Sequence, residues 1–145
     1  VNLSTYERHL KETPKKYNVL QLFRPPIYEI ELSNNQLITV CYYKDDSSKR
    51  HQINANFSNR RMVVADFLKT VQALTDLLLK FPKHSFGVSA FAVANVTEEL
   101  ADGLTAIEIK AIREAFFVAS SQAKRRVVHT TVSYQGQIVP LEKFG

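Results

Sequence analysis

Between Tyr42 and Arg61 the chain carries both parts of a single-strand binding surface. Point charges and forks of N–H donors hold phosphates, and flat rings hold unpaired bases. Tyr42, Tyr43, Lys44, Lys49, Arg50 and His51 fall around one polar turn, Asp45-Asp46-Ser47-Ser48, and Arg60-Arg61 stand at the entrance of a helical stretch. A further cluster, Lys124-Arg125-Arg126, follows a second helical stretch. Residues of these types in this pattern point to a nucleic-acid-binding protein for RNA or single-stranded DNA, with phosphates on the seven basic positions other than Lys44 and bases stacked on Tyr42 or Tyr43. Blander readings compete with it. Asp45 and Asp46 can neutralise their lysine neighbours while one tyrosine packs inward, and cations after a helix complement the negative end of its dipole.

Other chemistries lack their residues. Glycines stand singly at Gly87, Gly103, Gly136 and Gly145, so neither a P-loop nor a GxGxxG fingerprint is present, and there is no GxSxG elbow. His9, His51, His84 and His129 have no HExxH spacing, and Cys41 has no second cysteine for a zinc knuckle or a disulfide. The adjacent acids Asp45-Asp46 and Glu98-Glu99 suit a turn and a helix start better than a carboxylate dyad. The expectation is therefore a non-catalytic chain with no metal and no cofactor. Phe116-Phe117 supports the alternative function, a protein-interaction or assembly module that oligomerises through sheet edges or an exposed helix face. Two adjacent aromatics on a helix cannot both face one core, which leaves Phe117 as a partner anchor.

Bulk composition bounds these readings. Nineteen Lys and Arg against 14 Asp and Glu give +5, which favours acidic partners. Within 145 residues, 45% hydrophobic content with only four Gly and five Pro fits one compact domain over 1–145, residues 1–17 forming a basic arm or short helix. Apolar stretches are cut by Lys69, Asp76 and Lys80, or by Glu108, Lys110 and Arg113, well short of the roughly 20 residues of a membrane helix. The lone cysteine points to an intracellular, reducing home. The sequons at Asn2, Asn56 and Asn95 point the other way but are easily met by chance. Opening on Val1 reads as a processed product or an excised piece.

The elements that must position these residues follow from periodicity. Ser4 and Glu7 have capping-box spacing for a short exposed helix ended by Thr13-Pro14. Strands are expected at Val19 to Phe23, over Tyr28, Ile30 and Leu32, at Leu37 to Tyr43, and over Ile53, Ala55 and Phe57, with a turn at Ser33-Asn34-Asn35. Val64, Phe67, Leu68, Val71, Leu74, Leu78 and Phe81 put a helix over Met62 to Lys80, ended by Pro82. Phe86 to Ala94 alternates as a small-residue strand. Thr105 and Glu108 cap a second helix whose inward stripe is Ile109, Ile112, Phe116 and Ala119, with Leu104 placed to staple against Ile109. Val127 to Tyr134 and Gln137 to Val139 read as a hairpin. The resulting class is α+β: an antiparallel meander packed with two long amphipathic helices.

Overall fold

The computed structural model describes residues 5–33, 35–43, 45, 47–54, 66–82, 89–97, 105–134 and 137–138. Six strands, β1 (Ile27–Ser33), β2 (Gln36–Tyr42), β3 (Ser48–Asn54), β4 (Ala90–Val96), β5 (Val127–Tyr134) and β6 (Gln137–Ile138), form one sheet in the order β3-β2-β1-β4-β5-β6. The hairpin of β1 and β2 runs in full antiparallel register from Ile27 opposite Tyr42 to Ser33 opposite Gln36. Asn35, at φ 56°, takes the left-handed conformation that such a tight connection needs. β3 adds antiparallel to β2.

The fold is α+β, but the sheet is mixed: among the described residues two of its five strand pairings are parallel, where an antiparallel meander was expected. β4 lies parallel to β1 on one side and to β5 on the other. The reason is the connections: a helix precedes β4 and another follows it, so each crossover returns the chain to the same end of the sheet before the next strand starts. Strands of this kind are covered on both faces and read as apolar runs rather than alternations. β4 is buried at every position except the half-buried Asn95. Asn95 accepts a hydrogen bond from Ser133 Oγ on the neighbouring strand, so this sequon lies inside the sheet.

Two helices cover one face. α3 (Phe67–Leu78) is capped by Asp66, whose carboxylate accepts from Lys69 N at 3.1 Å. It buries Val71, Ala73, Leu74, Leu77 and Leu78, while Leu68, expected on the inward stripe, is 78% exposed. Positions 62–65 of the expected helix lie outside the described residues. α4 (Ala106–Gln122) starts at the expected cap, Glu108 N donating to Thr105 Oγ1 at 3.2 Å, and buries Ile109, Ile112, Phe116 and Ala119. The staple residue Leu104 lies outside the described residues. Beneath the helices sit Ile30, Leu32, Leu37, Ala92, Ala94 and Val96, the alanines of β4 allowing close approach. Cys41 is fully buried there, and burial pushes its thiol up to about 12, so it is an inert packed group.

The opposite face is covered by the N-terminal segment, which was expected to be an exposed arm. α1 (Thr5–Glu12), a 3-10 turn (Lys15–Tyr17) and α2 (Asn18–Gln21) pack there, with Tyr6 and Leu10 buried against Ile27, Phe91 and Val93. Tyr6 Oη donates to the Pro25 carbonyl at 2.7 Å, and burial pushes its phenol up to about 12. His9 Nε2 lies 2.5 Å from Glu29 Oε2 of β1, and Arg24 pairs with Glu7. Val19 to Phe23 is helix and turn rather than strand. Its apolar side chains are mostly turned outward: Val19, Leu22 and Phe23 are 72%, 81% and 65% exposed, while Leu20 packs against the cluster beneath the arm.

Candidate recognition cleft

The structure does not gather the basic and tyrosine positions singled out in the sequence. Lys44, Arg60 and Arg61 lie outside the described residues. Tyr42 and Tyr43 point to opposite faces, as successive strand-end residues do: Tyr42 sits beside the His9 ring at 5.6 Å, and Tyr43 packs against the main core. Burial raises both phenol pKa values, and the two rings, on opposite faces of the sheet, do not form one stacking platform. Lys49 and Arg50 are exposed on β3. Register runs from Ser48 through Tyr42, Ile27 and Phe91 to His129, so β3 and β5 are separated by four strand spacings, roughly 19 Å. Of the last cluster, Lys124 ends α4 at φ 59° and Arg126 is exposed. The Arg125 guanidinium is consumed by carbonyls, donating from Nε and Nη2 to Phe81 O at 3.1 and 2.9 Å and from Nη1 to Ala123 O at 2.6 Å. It is a helix-terminus clamp.

A different constellation does converge. Residues three and four apart on α4 form one flank of the helix, and Lys110, Arg113, Glu114 and Phe117 occupy the flank beside β5. Phe116 is fully buried and Phe117 is 51% exposed. The opposite wall is the start of β5, where the ladder slips: Val127 pairs with Ala90 and His129 with Phe91, leaving Val128 as a bulge without a β4 partner. The arm closes the third side with Lys16. Together these walls enclose an open cleft of about 590 Å³. A smaller hollow of about 310 Å³ lies between β3 and α3, under Leu68.

Two side chains cap the β5 carbonyls at this margin. Tyr17 Oη donates to Val128 O at 3.5 Å, and Arg113 Nε donates to Thr130 O at 3.4 Å. Such caps blunt a strand edge against indiscriminate pairing. The Tyr17 ring stands edge-on to Phe91 at 5.6 Å and tilted against His129 at 5.3 Å, with Lys16 Nζ 5.3 Å from its centre. Burial, then the charges of Arg113 and Lys16, push His129 down to about 4, so it is neutral at pH 7. Burial also lowers the pKa of Arg113. Among the described residues no ion pair involves Lys16, Lys110 or Arg113, so three cations face one lining carboxylate, Glu114.

Sequence reading weighed His129 only as a metal ligand, took Lys110 and Arg113 as charges interrupting an apolar stretch on the outer side of a helix, and gave Lys16 and Tyr17 no part in a site. The i, i+3, i+7 spacing of Lys110, Arg113 and Phe117 was the available signal. What it lacked was the strand margin and the arm that turn an outward face into a wall.

No protein-family model matches the chain, and no curated protein matches it. Among solved structures it resembles the ethanolamine utilization protein EutJ from Carboxydothermus hydrogenoformans, at 14% identity and a TM-score of 0.45, over 89% of this chain and 47% of that one. It also resembles the Aquifex aeolicus PPX-GPPA enzyme, at 14% identity and a TM-score of 0.40, over 74% of this chain and 36% of that one. The chain thus spans less than half the length of either. The nucleic-acid reading is given up because the structure disperses its proposed contacts: Tyr42 and Tyr43 face opposite sides of the sheet, Lys49 and Arg50 lie four strands from β5, and Arg125 is consumed by backbone carbonyls. No helix among the described residues is long and apolar enough to cross a membrane.

Proposed function

We propose that this domain recognises another protein rather than catalysing a reaction, and that the cleft between α4, the start of β5 and the arm receives it. The observation that carries this reading is Phe117, half exposed within a cleft whose three cations have no acidic partner among the described residues. A large apolar ring beside guanidinium and ammonium groups that form no ion pair among the described residues is the composition of an interface anchor. The fixed position of one wall supports it too: α4 is locked onto the core through Ile112 and Phe116, while the arm is seated on its own small cluster through Tyr6 and Leu10. The free thiol of Cys41, buried in β2, suits a reducing compartment, and the domain is assigned to the cell interior on that ground.

Selection of displayed peptides on the protein, with counter-selection on a Phe117→Ser variant of unchanged fold, tests the reading. Peptides that bind the parent and lose binding to the variant are expected. A selection that yields none, or only peptides held equally by both, contradicts it.

A second reading rests on the arm. Val19, Leu22 and Phe23 present three exposed apolar side chains within five positions, the kind of patch through which copies of a chain associate. Sedimentation of the parent and of Leu22→Asp separates the two cases. A concentration-dependent dimer abolished by the substitution supports self-association, and a monomer throughout removes it.

A further inference from the structure

The protein-recognition reading leaves open what the cleft holds, and Arg113 carries that question furthest. Its guanidinium is fixed at one corner, because Nε donates to the Thr130 carbonyl at 3.4 Å. Among the described residues its two terminal nitrogens have no partner. A guanidinium tethered through Nε presents a pre-oriented fork, and the group whose geometry matches a fork is a planar pair of oxygens. Arg113 is only partly exposed, so its charge is incompletely hydrated and an anion replaces less water there than at a free surface arginine. Lys16 on the arm and Lys110 one turn back on α4 supply further positive potential, and His129, which also lines the cleft, is neutral.

Spacing sets the second half of the ligand. Phe117 follows Arg113 by four residues on the same flank of α4, which places their Cβ atoms about 5–6 Å apart. Side chains two residues apart on one face of an extended peptide are separated by roughly 6.6 Å. We infer, on the protein-recognition reading, that the cleft takes an extended segment of a partner protein in which a side-chain carboxylate lies two residues from a large apolar side chain. The carboxylate meets the Arg113 fork and the apolar group lies on Phe117. Glu114, on the same flank, opposes the carboxylate and keeps its affinity modest.

The test is a titration of the full chain, followed by amide NMR, with short capped peptides in which Glu stands two residues before Phe. Matched peptides carry Gln or phosphoserine in place of Glu. The expected result is shifts at Arg113, Phe117 and Val128 to Thr130 with the Glu peptide, and about tenfold weaker binding of the Gln peptide, the size of one charge-assisted hydrogen bond. Arg113→Lys keeps the charge and removes the fork, so it reduces the preference for Glu over Gln to about twofold or less. The ligand comparison on the parent protein needs no variant to fold. Equal binding of Glu and Gln peptides with shifts in the cleft overturns the carboxylate and leaves the protein-recognition reading standing. Preference for phosphoserine over Glu overturns it in favour of a phosphorylated segment. Shifts confined to other surfaces, together with a display selection that finds no Phe117-dependent peptide, overturn both.

Discussion

The two faces of the sheet are covered by different means. On one, α3 and α4 lay a continuous apolar layer over Ile30, Leu37, Ala92 and Val132. On the other, a short segmented arm buries two large side chains, Tyr6 and Leu10, packs Tyr17 and Leu20 partly against the same cluster, and is further tied down by polar contacts: Tyr6 to Pro25, His9 to Glu29 and Arg24 to Glu7. Burial of apolar area supplies most folding free energy, while partly exposed ion pairs contribute little. The helical face therefore holds the fold, and the arm face completes the cleft at lower local stability. A recognition surface built half on each can be tuned through the arm without unfolding the core.

The largest test of this contrast is Phe116→Ala. Removing a fully buried ring between α4 and the sheet is expected to cost about 3–5 kcal/mol and to lower the urea midpoint for the whole molecule. Leu10→Ala, on the arm, is expected near the low end for a buried leucine, about 2 kcal/mol, because the arm can give way locally. Hydrogen exchange then speeds up over α1 and the 3-10 turn and stays slow in β4; equal loss of protection in β4 would remove the distinction between the faces. Thr105→Ala deletes the α4 cap and is expected to cost about 1 kcal/mol. Thermal denaturation checks it.

A pH-dependent effect concerns His129. Its folded pKa, about 4, lies below the ordinary histidine value, so between roughly pH 6.5 and 4 the unfolded chain binds the extra proton. Stability is fully present above that window and declines as pH falls through it. Tyr17, Arg113 and Lys16 are the groups that face or act on His129, and only the two cations add to the depression. Urea midpoints of His129→Gln should change less between pH 7 and pH 5 than those of the parent. An unchanged pH slope contradicts a neutral, desolvated imidazole.

The β1/β2 hairpin was legible because Tyr28, Ile30 and Leu32 alternate cleanly and Asn tolerates the turn. α4 was legible because its cap and its inward stripe agree. The parallel placement of β4 was less so: a run of alanines with Phe91 and Val93 satisfies both an alternating and a fully buried strand, and only the crossovers decide. The arm was misread because two apolar residues, Tyr6 and Leu10, among six charged or polar neighbours give little periodicity, although both find a core. Arg125 shows the limit for charged groups. Sequence placed it after a helix, but its engagement with Phe81 O is a tertiary contact across 44 positions. The cleft was illegible for the same reason, since the arm that closes it is remote in the chain, Tyr17 lying 111 positions before Val128, and meets α4 and β5 only in the fold.

Arg113 is tethered at Nε to the Thr130 carbonyl, and its terminal nitrogens are the groups assigned to a partner's carboxylate. The side-chain Nε–H resonance of Arg113 reports on both parts. A Thr130 bond makes it slow to exchange in the free protein, and addition of the Glu-bearing peptide should shift it while the Gln counterpart at equal concentration leaves it in place. A resonance that exchanges freely, or that responds identically to the two peptides, contradicts the account.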